Sequence, residues 1–389
     1  MTDHPSHSDQ GRGHALFDHF RLRRLVRENH GTAITQLAVH SRHPNLVATV
    51  GANQASVYDN EHCGNHLDIV TNYTAPASAA HTDDEPRFTC CAWLRVHPHP
   101  MDAWLAIGGH DGVIRLLSIA RSAEFRRLGA PTAAGAALPA LVELQSHPTL
   151  PVLLAAYADG SVRYWRLDDE RDVSGAETSA ETKCSLRLTA EDCQRVWRLK
   201  ASALYISADG TYFLAGTRTG EIRRVMLPEA LMSATTMMAD NDDGELLMQP
   251  HYTAIDCISM ADDDAIVSKS ASGKLVIGSL GLREVVRTVQ LHDENIDTRS
   301  RFGLSGDSQG RVTVYQRYTG EVLREFHHRR ANRPVLCCAF AREDRNLLVV
   351  GEDGCIWRWD YVDDATLAEW AKFHAELQER QPAATTGSA

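Results

Sequence analysis

The phrase "GEDGCIWRWD" at 351–360 has earlier counterparts in "GGHDGVIRLL", "AYADGSVRYW" and "GTRTGEIRRV". Repetition of this kind restricts a chain to a repeat architecture. Aligned on its turn, the phrase occurs seven times, at Asn53, Gly112, Gly160, Gly220, Gly273, Gly310 and Gly354. The intervals of 59, 48, 60, 53, 37 and 44 residues scatter around the period of a propeller blade with insertions. A Gly or Asn at the second turn position is expected to supply the positive φ of a tight hairpin. An aliphatic residue usually stands two positions on (Ile114, Val162, Ile222, Leu275, Val312, Ile356). An aromatic often stands five positions on: Tyr58, Trp165, Tyr315 and Trp359. Trp165 and Trp359 hold the repeat's structural place and read as core packing.

Runs such as "WLAIGG", "VLLAAYA" and "LLVVGE" precede the turns and are apolar on both faces. A sheet of that kind must be covered on both sides, which a closed ring of blades achieves. The expected fold is all-β: one seven-bladed propeller over 20–362. Ring closure needs a strand from the other terminus, and Arg21–Val26 is placed there; an amphipathic basic helix is the alternative. His43-Pro44, His97-Pro98 and His147-Pro148 read as turns into a following strand. Segments 72–86, 120–138, 168–183 and 228–250 read as inserted loops. Residues 1–19 and 380–389 are expected to be disordered tails. Between the last blade and the second tail, 363–379 reads as a helix capped by Asp364. Its Leu367, Trp370, Phe373 and Leu377 share one side, which either packs on the propeller or docks a partner.

Fifty-one acidic residues against 40 basic give a net charge of −11. A dedicated nucleic-acid binder leans the other way, so no specific nucleic-acid partner is expected. Nine cysteines, an odd count with two adjacent pairs and no C-x-x-C, read as reduced, mostly buried thiols. The opening "MTDHPSHSDQ" lacks the pattern of a secretory leader, and no apolar run is long enough to span a membrane. Leu128–Val142, the nearest, is short and broken by Gly and Pro. No phosphate-binding loop, dinucleotide fingerprint or nucleophile elbow is present. His62, Cys63 and His66 fall in a Gly-Asn loop unsuited to a helical metal site, and Asp262–Asp264 reads as a polar turn. Neither catalytic residues nor a cofactor or metal is expected.

Several stretches together resemble the Extra sex combs / embryonic ectoderm development family of WD-repeat proteins, subunits of Polycomb repressive complex 2. They are "VATVGANQASVYD" (47–59), "FTCCAW" (88–93) with "GVIRLL" following, "HYTAIDC" (251–257) with "AIVSKSASGKLVI" (265–277), and "GEDGCIWRWDYV" (351–362). The resemblance implies a nuclear, non-enzymatic scaffold. It would bind an Enhancer of zeste-type SET-domain methyltransferase and other subunits of that complex, with a histone H3 tail as a further partner. A general WD-repeat adaptor, such as a ubiquitin-ligase substrate receptor, is the alternative. The family holds trimethyl-lysine in an aromatic cage by cation–π attraction. Here the first cage position falls on Ala33. The second falls on Thr89, or on Phe88 if the doubled cysteine is an insertion, and "NIDTRS" (295–300) offers no ring. Tail binding insensitive to methylation is the expectation.

Overall fold

The computed structural model describes residues 15–28, 33–61, 67–76, 87–96, 102–130, 138–167, 186–189, 195–227, 244–290, 295–297, 302–317 and 319–380. These form seven antiparallel sheets around a ring. From the inner to the outer strand, blade 1 is Gln36–Val39, Leu46–Gly51, Gln54–Asp59 and Asp68–Thr74. Blade 2 is Phe88–Trp93, Trp104–Gly109, Ile114–Ser118 and Ala123–Ala130. Blade 3 is Leu141–Ser146, Val152–Tyr157, Ser161–Arg166 and Arg195–Arg198. Blade 4 is Ala201–Ile206, Tyr212–Thr217, Ile222–Met226 and Glu245–Met248. Blade 5 is Ile255–Met260, Ala265–Ser270, Lys274–Ser279 and Glu284–Gln290. Blade 6 is Asn295–Asp297, Phe302–Gly306, Val312–Gln316 and Val322–Phe326. Blade 7 is Val335–Ala341, Asn346–Gly351, Cys355–Tyr361 and, from the other end of the chain, Phe20–Arg27.

The two-faced strands find their reason at the blade junctions. Trp104 and Ala106 pack toward blade 3, whereas Leu105 and Ile107 pack toward blade 1. Leu153, Ala155 and Tyr157 likewise face blade 2, and Val152, Leu154 and Ala156 face blade 4. Strand alternation thus feeds two interfaces at once. Among the described residues, one apolar cluster fills each of the seven junctions. Trp165 is buried between blades 2 and 3, and Trp359 between blades 6 and 7.

Six hairpins share one loop form, illustrated by Ala158-Asp159-Gly160 between Tyr157 and Ser161. Gly160 N bonds Tyr157 O (2.8 Å), and Asp159 Oδ1 accepts from Ser161 N (2.8 Å). The loop is three residues long, not two, and its third residue is left-handed. φ lies between +70° and +86° at Gly112, Gly160, Gly220, Gly273, Gly310 and Gly354. A Cβ on Gly160 would stand 2.5 Å from Lys200 Cα. Blade 1 differs: Gly51 pairs with Gln54, the loop is only Ala52-Asn53, and Ala52 has φ +47°. Asn53 does not carry the left-handed conformation, because a two-residue loop of this kind needs it at the first position.

The closing strand pairs from Phe20↔Tyr361 to Arg27↔Cys355 with a bulge between Leu22 and Arg24. The expected 1–19 tail is corrected from residue 15 onward. Residues 15–18 form a helical turn, and Phe17, with no exposed surface, sits among Phe20, Phe302, Phe326 and Phe340. Burying a phenylalanine there contributes about 1.5–3 kcal/mol, which offsets part of the entropy of ordering the segment. Two expected loops contain outer strands, Ala123–Ala130 and Glu245–Met248. Fourth strands lack the strong apolar signature of inner ones, which hid them. Leu186–Thr189 adds a fifth, parallel strand to blade 2. The terminal helix runs Asp364–Arg380 and is capped by Asp363, not Asp364. Thr366 N donates to Asp363 Oδ1 (2.7 Å), which holds that carboxyl below its usual range. Arg23 lies 4.5 Å over the Trp370 ring, so the helix rests on the closing strand. Among the described residues no helix is long and apolar enough to cross a membrane.

Arg358, 1% exposed, locks the closure. It donates to both carboxylate oxygens of Asp360 (2.7 and 2.9 Å) and to Asn60 O in blade 1 (2.8 Å). Asn346 Nδ2 also donates to Asp360 (2.7 Å). Asp360→Ala would strand a buried guanidinium and should cost about 3–5 kcal/mol in urea unfolding. Removing both charges with Arg358→Met/Asp360→Leu should cost less than Asp360→Ala alone. Equal losses in the two variants would contradict this account of the pair.

Candidate functional site

Blades approach most closely at their inner strands, and side chains cross between them there. In five blades the pairing register slips at the second inner-strand residue: Thr89, Val142, Ser202, Asp256 and Leu336. A bulged residue leaves the ladder and is free to bond elsewhere. Thr89 Oγ1 donates to Leu141 O of blade 3 (2.9 Å), and Ser202 Oγ to Ile255 O of blade 5 (2.6 Å). Thr35, just ahead of the first inner strand, donates to Phe88 O of blade 2 (2.9 Å). The third position continues the pattern. Gln36 Oε1 accepts from Cys91 N (2.5 Å), Glu143 Oε2 accepts from Leu204 N (2.6 Å), and Cys337 Sγ donates to Leu37 O (3.6 Å). These clasps cross the junctions 1–2, 2–3, 3–4, 4–5 and 7–1. Reading from the hairpin turns missed Thr35, Gln36, Glu143 and Ser202. Aligning the repeats on their inner strands instead brings out the recurring small hydroxyl.

The three pocket positions do lie on one rim, but they do not form a cage. Thr89 spends its hydroxyl on the clasp. Phe88 has no exposed surface; the Arg115 guanidinium stands 5.4 Å from its ring centroid, and the Tyr73 ring stands 6.3 Å away. Arg115 is itself held by Asp111 (2.5 Å). The chain's own cation therefore covers the one ring the sequence left for a methylammonium. Ala33 is half-buried, and its carbonyl would lie 2.4 Å from a Cβ built on Gly51. Residues 298–300 of "NIDTRS" fall outside the described residues, as do His62, Cys63, His66, His97 and Pro98.

Other polar groups serve the fold. His147 Nδ1 accepts from Thr149 N (3.2 Å) and Leu150 N (3.1 Å), while Nε2 meets Gly210 O of blade 4 (2.9 Å). In blade 1 that role belongs to His40, whose Nδ1 accepts from Arg42 N and His43 N (both 3.0 Å), and not to His43. Asp262 Oδ1 accepts from Asp264 N (2.8 Å) and Ala265 N (2.6 Å), a self-capped turn. Among the described residues no group of three or more His, Cys, Asp or Glu is placed to hold a metal. Lys269 of the Ser268-Lys269-Ser270 run is wholly buried and donates to Asp256 Oδ2 (2.7 Å). His251 Nε2 lies 2.9 Å from Ser268 Oγ, but each residue is only 1% exposed. Burial, then the Lys274 charge, lowers the His251 pKa from 6.5 to about 4, so the pair is a neutral packing contact.

Seven blades built on four antiparallel strands each, a terminal strand closing the ring and the Trp359-Asp360 ending define a WD-repeat β-propeller. The WD domain, G-beta repeat family matches residues 320–360. Relatives extend through most of the ring. "Polycomb protein esc" of Drosophila melanogaster is 23% identical over 378 residues, covering 86% of this chain and 83% of its own length. Its namesake from Drosophila virilis is 23% identical over 382 residues with the same coverage. "Polycomb group protein FIE2" of Zea mays is 20% identical over 358 residues, covering 83% of this chain and 86% of itself.

The neutral His251 carries a pH consequence. Its folded pKa of about 4 lies below the unfolded 6.5, so between them the unfolded chain binds more protons. Its contribution is complete above 6.5 and is lost as pH falls toward 4. Between about pH 7 and about pH 5 the loss amounts to about 2 kcal/mol. Urea unfolding at about pH 7 and about pH 5 should show it, and His251→Gln should flatten the dependence. An unchanged dependence in His251→Gln would contradict the assignment.

Proposed function

We propose that this chain is the WD-repeat scaffold subunit of a Polycomb repressive complex 2-like histone H3 methyltransferase. It is a nuclear protein without catalytic activity of its own, and it supports an Enhancer of zeste-type SET-domain subunit. The observation that carries the reading is the span of the relationship: Polycomb esc and FIE2 match the chain from blade to blade, not through one generic repeat. The local chemistry supports it, because the inner-rim hydroxyls named above bond backbone between blades and the Ser268–His251 pair is buried. What such a ring offers is a rigid surface for partners. A SET-domain subunit and further members of the complex would bind across its faces.

Affinity purification of the tagged chain followed by mass spectrometry should recover an Enhancer of zeste homologue, and deletion should lower histone H3 methylation. Recovery of a ubiquitin-ligase core with unchanged H3 methylation would refute the proposal.

Methyl-lysine discrimination is not part of the proposed role. Each cage ring is worth about 0.5–2 kcal/mol, and Ala33 and Thr89 supply none. Phe88 is buried beneath Arg115. Calorimetry with unmodified and trimethylated H3 peptides should give weak, equal binding. Tight binding that requires the methyl groups would contradict this part of the reading.

A further inference from the structure

The acidic net charge conceals a basic sector at the turn rim of blades 6 and 7. The segment from His327 to Pro334, "HHRRANRP", leads into the inner strand of blade 7. It is fixed there: Ala331 N bonds His328 O (2.7 Å), Pro334 O accepts from Glu352 N (2.9 Å), and the His328 and Trp357 rings are 5.3 Å apart. The closing strand ends on the same rim, where Arg27 pairs across from Cys355 and Glu28 N bonds Gly354 O (3.0 Å). Arg27, Arg329, Arg330 and Arg333 are all exposed. Among the described residues none of these four guanidiniums makes an ion pair. The carboxylates on this rim include the exposed Glu352, Asp353, Asp307 and Glu28, which is buried and accepts from Thr49 Oγ1. Asp353 Oδ1 is turned to Cys355 N (3.0 Å), and Asp307 is paired with Arg311 (3.1 Å).

We propose that this sector is a sequence-independent docking site for the phosphate backbone of a nucleic-acid duplex. Like charges on one rim repel, so four guanidiniums without ion pairs there favour an anionic partner. Guanidinium forks match phosphate oxygens, and such contacts position a duplex without reading its bases. A folded protein partner would need a buried apolar anchor. None of the large exposed apolar side chains belongs to 327–334 or to the 352–354 turn. A regular anionic backbone fits the surface better than a peptide does. Because the rest of the chain is acidic, binding should be weak, salt-dependent and confined to this sector.

The test is fluorescence anisotropy of the full chain with a labelled duplex and a shuffled-sequence duplex across a salt series. Both duplexes should bind alike. Arg329→Ala/Arg330→Ala/Arg333→Ala should weaken binding about tenfold at low salt and make the log K against log salt slope shallower by about 0.9 per lost phosphate contact. Melting of the variant, followed by circular dichroism, should match the wild type, since these side chains are exposed. Arg42→Ala/Arg121→Ala, at exposed positions outside the sector, should leave binding unchanged. No binding at low salt, equal binding by the triple variant, or stronger binding of a polyglutamate peptide than of DNA would each overturn the proposal. The last result would assign the sector to an acidic protein segment.

Discussion

Everything in this molecule depends on closing the ring. A blade with Leu105 and Ile107 on one face and Trp104 and Ala106 on the other is soluble only when both neighbours are present. The last junction is made by Phe20–Arg27, which reaches blade 7 from the opposite end of the chain. Such a long-range pairing carries a loop-closure cost, which grows only slowly with length. Here it is offset by the Phe17–Phe20 aromatic cluster and by Arg358, which links Asp360 of blade 7 to Asn60 of blade 1.

Closure also decides where polar chemistry goes. At the inner rim the hydroxyls of Thr35, Thr89 and Ser202, the amide of Gln36 and the carboxylate of Glu143 bond backbone across blade junctions. Buried backbone groups need partners, and these side chains supply them where the bulges interrupt the ladder. The result is a rigid annulus. What it presents outward is surface.

The repeat architecture was legible because hairpin glycines and two-faced apolar strands are local features. The fourth strands of blades 2 and 4 were not, since Ala123–Ala130 carries Glu124, Arg126 and Arg127 among its apolar residues and Glu245–Met248 has half its side chains in water. Nor was the left-handed Ala52, which a two-residue loop imposes against the residue's own preference. The rim residues were the least legible. Thr89 was found by position and Thr35 not at all, because their roles depend on a carbonyl some fifty residues away in the next blade. Phe88 was a sound aromatic candidate, but Arg115, from the next strand but one, covers it.

The central claim is that the N-terminal strand is an integral member of blade 7 and not an appended arm. Native-state amide exchange measures this directly. Phe20–Arg27 should exchange as slowly as its neighbour Cys355–Tyr361, in one cooperative unit with the inner strands. Exchange of Phe20–Arg27 at the rate of a free peptide, with Cys355–Tyr361 still protected, would contradict it.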